Sequence, residues 1–314
     1  MKNKRIFQIL VLIILFAWFA VYFYQNIDEF RQLRIVNAWY LIPMILFSIV
    51  ASVNNGLILK FFLLPFGVLL KFKEYFGLVI INSMTNYLTP LRGGIAVKAI
   101  YLKKRHQLSY THFLSMFAGM NIVMFLVTSF VGIVTVLLFR YIYGIFNALV
   151  FSIFLLLFLL LLGVMMFSPK IKETKYRLIN IFINVLNGWH LVKHHKRAIF
   201  FTGFIAFINI AIMTFGMFFS FRVFGIEIAL LQVLFLSVMA GLSLLISITP
   251  GGLGITETIV AFTAVVIQMP VSEVLAVSIL SRFINLGLLF ILGPIFSYIL
   301  MNQKNDKNEE NNIL

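Results

Sequence analysis

Long apolar runs separated by short polar and basic breaks organise this chain, and their lengths predict its elements. Runs that reach the ~20 residues a helix needs to cross a bilayer cover 6–24, 38–59, 113–139, 145–167, 198–221 and 274–300. Two further apolar stretches, 75–102 and 229–269, are broken in the middle. One reads Tyr87-Leu88-Thr89-Pro90-Leu91-Arg92-Gly93-Gly94-Ile95 and the other Ser247-Ile248-Thr249-Pro250-Gly251-Gly252-Leu253-Gly254-Ile255. Proline removes a backbone donor and glycine weakens a helix interior, so each stretch is expected to fold back as a hairpin with its tip at Thr89-Pro90 or Thr249-Pro250. Arms of roughly 12–15 residues in the first give ~20 Å of helix against ~30 Å of hydrocarbon, which predicts a re-entrant hairpin. Arms nearer ~20 residues in the second are expected to be long enough to cross.

The fold class that follows is all-α: a polytopic membrane protein with two inverted repeats, each containing a broken or re-entrant Thr-Pro-Gly helical hairpin. Three full spans separate the hairpins, and an odd number makes the second enter from the opposite face. The repeats are expected at about 38–139 and 198–300, joined by the span at 145–167 and a cytoplasmic amphipathic linker at 169–197. Together they form a single transmembrane domain, 1–301, followed by a polar tail, 302–314, expected to be disordered. In the linker, Leu178, Ile181, Phe182, Val185, Trp189 and Val192 recur at helical spacing between basic ends, which predicts a helix lying along the membrane interface. Two ordinary kinked helices are the plainer alternative to two hairpins.

Composition excludes a soluble protein: 62% of residues are hydrophobic, 11% are charged, and the mean hydropathy is +1.04. The net charge of +15 follows topology rather than nucleic acid. With the N-terminus in the cytoplasm, the clusters at Lys2 to Arg5, Lys71 and Lys73, Lys103 to Arg105, Lys170 to Arg177 and Lys193 to Arg197 fall inside. Arg31, Arg34, Arg140 and Arg222 fall outside, which satisfies the positive-inside rule and puts both termini in the cytoplasm. The first run follows basic residues as a signal peptide would, yet lacks a small-residue cleavage site, so it is read as a retained helix. With no cysteine, thiolate chemistry is excluded. His190 and His194 have i, i+4 spacing without a third ligand nearby, so neither a metal site nor a cofactor is expected.

Charges at membrane depth carry the functional information, because each costs several kcal/mol unless paired or hydrated. Arg92 lies at the first tip and Lys98 in the arm that returns from it. Glu257 lies in the second returning arm, and Arg282 and Asn285 in the last span. Three cations against one carboxylate suit an anion such as a phosphate. Gly93, Gly94, Gly251, Gly252 and Gly254 let both returning arms begin close to the tips, with free amides expected to face a shared cavity. The candidate substrate-binding set is therefore these five glycines with Arg92, Lys98, Glu257, Arg282 and Asn285. Glu257 could instead simply pair with Arg282 or Arg92 to hold the hairpin, and Lys98 could snorkel to the surface.

The segment Pro250-Gly251-Gly252-Leu253-Gly254-Ile255-Thr256-Glu257 resembles the signature of the lysylphosphatidylglycerol synthase transmembrane family, which includes the flippase portion of the multiple peptide resistance factor. Pro90-Leu91-Arg92-Gly93-Gly94-Ile95-Ala96-Val97-Lys98 is similar to the family's first motif, with Ile95 where an acidic residue is usual. Arg282 followed by Gly293-Pro294 resembles its C-terminal pattern. The resemblance implies a multi-pass protein of a prokaryotic cytoplasmic membrane that moves a phospholipid or polyprenyl-phosphate lipid between leaflets. It implies no catalytic residue in this region, since the family's lysyl transfer belongs to a soluble domain that the sequence does not show. Partners are expected to be anionic or zwitterionic membrane lipids, with a second copy of the chain or a lipid enzyme as further candidates. A non-transporting scaffold and a membrane-embedded lipid-modifying enzyme are the alternatives.

Overall fold

A computed structural model of the chain describes residues 34–89, 92–167, 192–246 and 249–302, with isolated positions at 172, 174, 175, 180, 183 and 189. The expected first span at 6–24, most of the linker, Pro90 and the tail lie outside the described residues. Everything regular among the described residues is helical. In chain order the α-helices are α1 (Leu41–Leu63), α2 (Phe72–Leu88), α3 (Gly94–His106), α4 (Tyr110–Tyr143), α5 (Ala148–Phe167), α6 (Lys196–Val223), α7 (Leu230–Leu242), α8 (Ile255–Val266) and α9 (Val271–Asn302). Five helical stretches are long and apolar enough to cross a membrane: Ala38–Phe66, Tyr110–Tyr143, Ala148–Phe167, Lys196–Val223 and Val271–Asn302. They coincide with five of the predicted runs; four are longer than predicted by a few residues, and Ala148–Phe167 starts three residues later than its run. Caps explain some of the extra length. The Ser109 side chain accepts from the His112 amide to start α4, and Gly144, at φ 71, ends it by donating to the Arg140 carbonyl.

The bundle buries close-fitting contacts and leaves many other bulky apolar residues exposed, as a lipid-facing protein does. Phe200, Phe283 and Ile291 are exposed, and α5 buries only Val150 and Phe154. Phe154 sits on Gly132 of α4, where a Cβ would come within 2.4 Å of its ring. α1 and α6 pack antiparallel, with rings paired along their length as Tyr40 with Phe219, Phe47 with Phe215, and Phe61 with Phe201. Between those pairs, the Asn54 amide donates to the Ile205 carbonyl and to Asn209 Oδ1, both at 3.1 Å. α2 lies on α9, with Phe76 against Phe296 and Met84 against Gly293. In the same way α7 lies on α4, with Phe235 against Phe139 at 5.0 Å.

One expectation differs from what is observed. α7 and α8 have 13 and 12 residues, and even with the flanking turns Ser243–Leu245 and Pro250–Gly252 the apolar pieces are only Leu230–Leu245 and Pro250–Val266. At ~1.5 Å per residue neither arm covers ~30 Å, so the second hairpin is as short as the first. Apolar sequence runs on past the true helix ends: α7 begins only where the Gln232 side chain accepts from the Ala229 amide. α8 is followed by Gln268 in the left-handed region (φ 57), just before Met269-Pro270. At the linker's described positions Ile183, Trp189 and Val192 are buried, with the Trp189 indole donating to the Met165 carbonyl and Val192 beside Gly119. These side chains face the helices rather than lipid, because an apolar stripe is equally well buried by a protein surface.

The base of the first hairpin is tied by a buried carboxylate. Glu74 accepts from the Lys71 amide (3.0 Å) and the Tyr101 hydroxyl (2.9 Å), and its Oε1 lies 3.0 Å from His106 Nε2, so the start of α2 is joined to the end of α3. Burial pushes its pKa up, but the bonds to His106, the Lys71 amide and Tyr101 outweigh burial and lower it from 4.5 to about 2.

Candidate functional site

Both hairpins turn at an extended threonine followed, three residues on, by a residue in the left-handed region. In the first, Thr89 is extended and its hydroxyl donates to the Thr85 carbonyl at 2.6 Å, closing off α2. Arg92 then takes φ 56, and α3 starts at Gly94. The return is so tight that a Cβ on Gly94 would sit 2.2 Å from the Asn82 carbonyl oxygen, and one on Gly93 would sit 2.4 Å from the Thr89 hydroxyl. In the second, Thr249 is extended, its hydroxyl donates to the Leu253 carbonyl at 2.9 Å, and Pro250–Gly252 form a single 3-10 turn. Counting from the threonine, Arg92 stands where the second hairpin has Gly252, at φ 69. A side chain in this left-handed region costs roughly 1–2 kcal/mol that glycine avoids.

The tips meet. Tyr87, at the end of α2, lies against Gly251 so closely that a Cβ there would come within 2.2 Å of its ring. Arg282, from the middle of α9, places its guanidinium 6.0 Å from the same ring. Its Nη1 donates to the Gly251 carbonyl at 3.1 Å and its Nη2 lies 2.5 Å from Glu257 Oε1. The other carboxylate oxygen of Glu257 accepts from the Gly254 amide at 2.8 Å. On the opposite side of the junction, Arg92 reaches across and donates from Nη2 to the Leu244 carbonyl, in the turn that ends α7.

Thr89, Arg92, Gly93 and Gly94 thus form one tip, Thr249, Pro250, Gly251, Gly252, Gly254 and Glu257 the other, and Arg282 joins the second tip from behind. Two predicted residues stand apart. Lys98 is buried, one turn beyond Gly94, and makes no hydrogen bond or ion pair with a described residue. It does not snorkel. Asn285 is half-buried, one turn along α9 from Arg282, and is likewise without a bond to a described residue.

One amide at the start of each returning arm has an acceptor within the protein. The first amides of the returning arms were expected to be free for a ligand, yet the Gly94 amide donates to Asn86 Oδ1 at 3.0 Å and the Gly254 amide to Glu257. Buried donors at a helix start must find an acceptor, and in both hairpins a side chain supplies it. Glu257 is therefore the capping anion of its own helix as well as the partner of Arg282.

Sequence reasoning also missed Tyr87, Asn86 and the Leu244 carbonyl. The first two were visible as an aromatic and a polar residue inside an apolar run. A backbone acceptor carries no mark in sequence. Thr256, whose hydroxyl donates to Ser243 Oγ at 3.1 Å, adds a further bond between the two arms of the second hairpin. Among the described residues no three potential ligands cluster to hold a metal ion.

No curated protein matches the chain. The family described as the lysylphosphatidylglycerol synthase TM region matches residues 5–293, which include both hairpin tips and Arg282, and that description covers the membrane region rather than a transferase domain. The chain belongs to the lysylphosphatidylglycerol synthase TM region family.

Proposed function

We propose that this protein is a lipid translocase, flippase-like or scramblase-like, which passes a phospholipid or polyprenyl-phosphate lipid between leaflets at the junction of the two hairpin tips. The observation that carries this reading is the meeting of two short helical hairpins, Tyr87 on Gly251 and Arg92 on the Leu244 carbonyl, with cations at the junction. Neither hairpin is long enough to span, so both tips end inside the hydrocarbon layer if their bases lie at its surfaces. Arg92 lies at the junction and Lys98 is buried one turn beyond Gly94 in the same arm, and the ligand suited to such cations carries a phosphate.

Inverted repeats are part of the same proposal. α1 to α4 and α6 to α9 follow the same order of long helix, short hairpin and long helix. The antiparallel α1–α6 seam and the reciprocal packing of α2 on α9 and α7 on α4 are what a pseudo-two-fold axis in the membrane plane produces. The proposed unit is one transmembrane domain with α5 as the connecting span, in a prokaryotic cytoplasmic membrane with both termini on the cytoplasmic side. Cysteine labelling of the cysteine-free chain tests this. Asn37→Cys should label only from outside and Asn302→Cys only from the cytoplasm.

Purified protein in liposomes should speed the exposure of a fluorescent phospholipid to a membrane-impermeant quencher, without ATP and without cleaving the lipid. Arg92→Ala should slow this roughly 10- to 100-fold, the worth of a lost charge-assisted hydrogen bond, while Lys304→Ala should leave it unchanged. If no phospholipid or polyprenyl-phosphate in a broad panel moves faster than in protein-free vesicles, the translocase reading fails and a scaffold role replaces it.

A further inference from the structure

We infer that Asn82 and Lys98, facing each other inside the first hairpin, form a headgroup site that takes a phosphomonoester, as in phosphatidic acid or a polyprenyl phosphate, in preference to a phosphodiester. This rests on the translocase reading and names the headgroup. The pairing of the two arms supplies the first argument. Near the base, Glu74 Oε1 lies 3.0 Å from His106 Nε2, and near the tip Asn86 Oδ1 accepts from the Gly94 amide at 3.0 Å. Stepping four residues along each antiparallel helix between those bonds gives Leu78 opposite Leu102, both fully buried, and then Asn82 opposite Lys98. The Asn82 backbone also lies directly against Gly94, one turn from Lys98. Three of these four levels are closed by a bond or by apolar contact. The fourth is not: Asn82 Oδ1 is buried with no hydrogen-bond partner, and Lys98, only 9% exposed, makes no bond to a described residue.

An ammonium group only donates and an amide oxygen only accepts, so a ligand that satisfies both must carry an acceptor and a donor close together. Water does so, yet it leaves a buried ammonium without a counter-charge. Chloride or sulfate brings the charge and no donor. The phosphate of a phosphodiester is an acceptor alone, and hydroxyls on its headgroup lie several bonds away. A phosphomonoester has everything on one atom: charged oxygens for Lys98 and, in its singly ionised form, a P–O–H that donates to Asn82 Oδ1. The level lies one turn inside the tip, and the Leu78–Leu102 level below it is apolar and closed. A headgroup admitted where the arms part at the tip therefore stops between Asn82 and Lys98.

Phosphatidic acid and phosphatidylmethanol with identical chains differ in this one hydroxyl. At about pH 5.5, below the second ionisation of a phosphomonoester near ~6, each carries about one negative charge. Titrated into the purified protein in a phosphate-free maltoside and read by native mass spectrometry, phosphatidic acid should bind about ten-fold more tightly, the worth of one hydrogen bond. Asn82→Leu should weaken phosphatidic acid alone and bring the two lipids within about two-fold, whereas Lys98→Met should weaken both. Equal affinities in the wild type would overturn the site, and so would a preference that survives Asn82→Leu. The wild-type comparison needs no variant, so it decides even if Asn82→Leu fails to fold. Competition separates the two sources of the group. Inorganic phosphate displacing phosphatidic acid where sulfate does not assigns recognition to the headgroup alone, and displacement by neither assigns it to the intact lipid. Sulfate displacing as well as phosphate would overturn the role of Asn82. Selective binding by a protein that moves no lipid leaves the site standing and removes the translocase reading. Lipid movement without any headgroup preference in binding has the reverse meaning.

Discussion

The two hairpins share a threonine, a glycine cluster and a left-handed residue three positions after the threonine, and they differ in electrostatics. In the second, Glu257 serves two donors at once, capping α8 through the Gly254 amide and pairing with Arg282, whose remaining donor goes to the Gly251 carbonyl. Glu257 and Arg282 thus lie beside each other as opposite charges. In the first, the helix cap is the neutral Asn86, Arg92 donates to the Leu244 carbonyl, and Lys98 is buried without a bond to a described residue. The second hairpin is thus the finished side, its charges paired with each other, and the first is the unfinished side, where Lys98 has no described counter-ion.

Breaking the finished side should have the largest effect on stability. Arg282→Ala leaves Glu257 buried with its counter-ion gone, which costs roughly 3–5 kcal/mol. Thermal melting in detergent should show the loss plainly. Glu257→Gln should cost less, because the glutamine oxygen still caps Gly254. The double variant Glu257→Gln with Arg282→Met should recover part of what Arg282→Ala loses. Equal melting of Arg282→Ala and wild type would mean the pair holds nothing.

The unfinished side should respond with the opposite sign. Lys98→Met removes a buried cation that has no described counter-ion and keeps the side-chain volume, so it should stabilise the protein in phosphate-free detergent by about 1–3 kcal/mol. The same change should weaken the extra stability that phosphatidylglycerol confers on the wild type. A destabilised Lys98→Met protein would show that the lysine is already satisfied, and the contrast between the hairpins would then fall.

Much of this contrast was hidden in sequence for identifiable reasons. Spans were legible because a bilayer demands ~20 apolar residues in a row, and Thr89 and Thr249 with their glycines marked both turns. The intramembrane charges were legible for the same reason, as rare breaks in apolar sequence. What could not be read was which partner each charge takes. Glu257 faced two candidate arginines, and only the approach of α9 to the second tip selects Arg282. The length of the second hairpin was overestimated because apolar residues fill its turns as well as its helices. The linker's stripe marked a buried face without saying whether protein or lipid buries it. Leu244 contributes only its carbonyl, which any residue there would provide.

The smallest effect expected concerns the base of the first hairpin, where the unfinished tip is anchored by Glu74. Its folded pKa of about 2 lies below the ordinary 4.5, so the carboxylate contributes stability that is present above about 4.5 and is lost as pH falls through about 2. Glu74→Gln removes the charge, keeps one acceptor for the Lys71 amide, and should lower the melting temperature modestly at neutral pH. The wild-type advantage over the variant should then narrow between pH 4.5 and 2 and vanish below it. Because Glu74 joins the ends of α2 and α3, the same variant should loosen the hairpin as a unit and broaden the distances between spin labels placed at the two tips without moving their mean. Melting curves that stay parallel across that pH window would show that Glu74 does not hold the base, and the first hairpin would then have to be steadied by its packing on α9 alone.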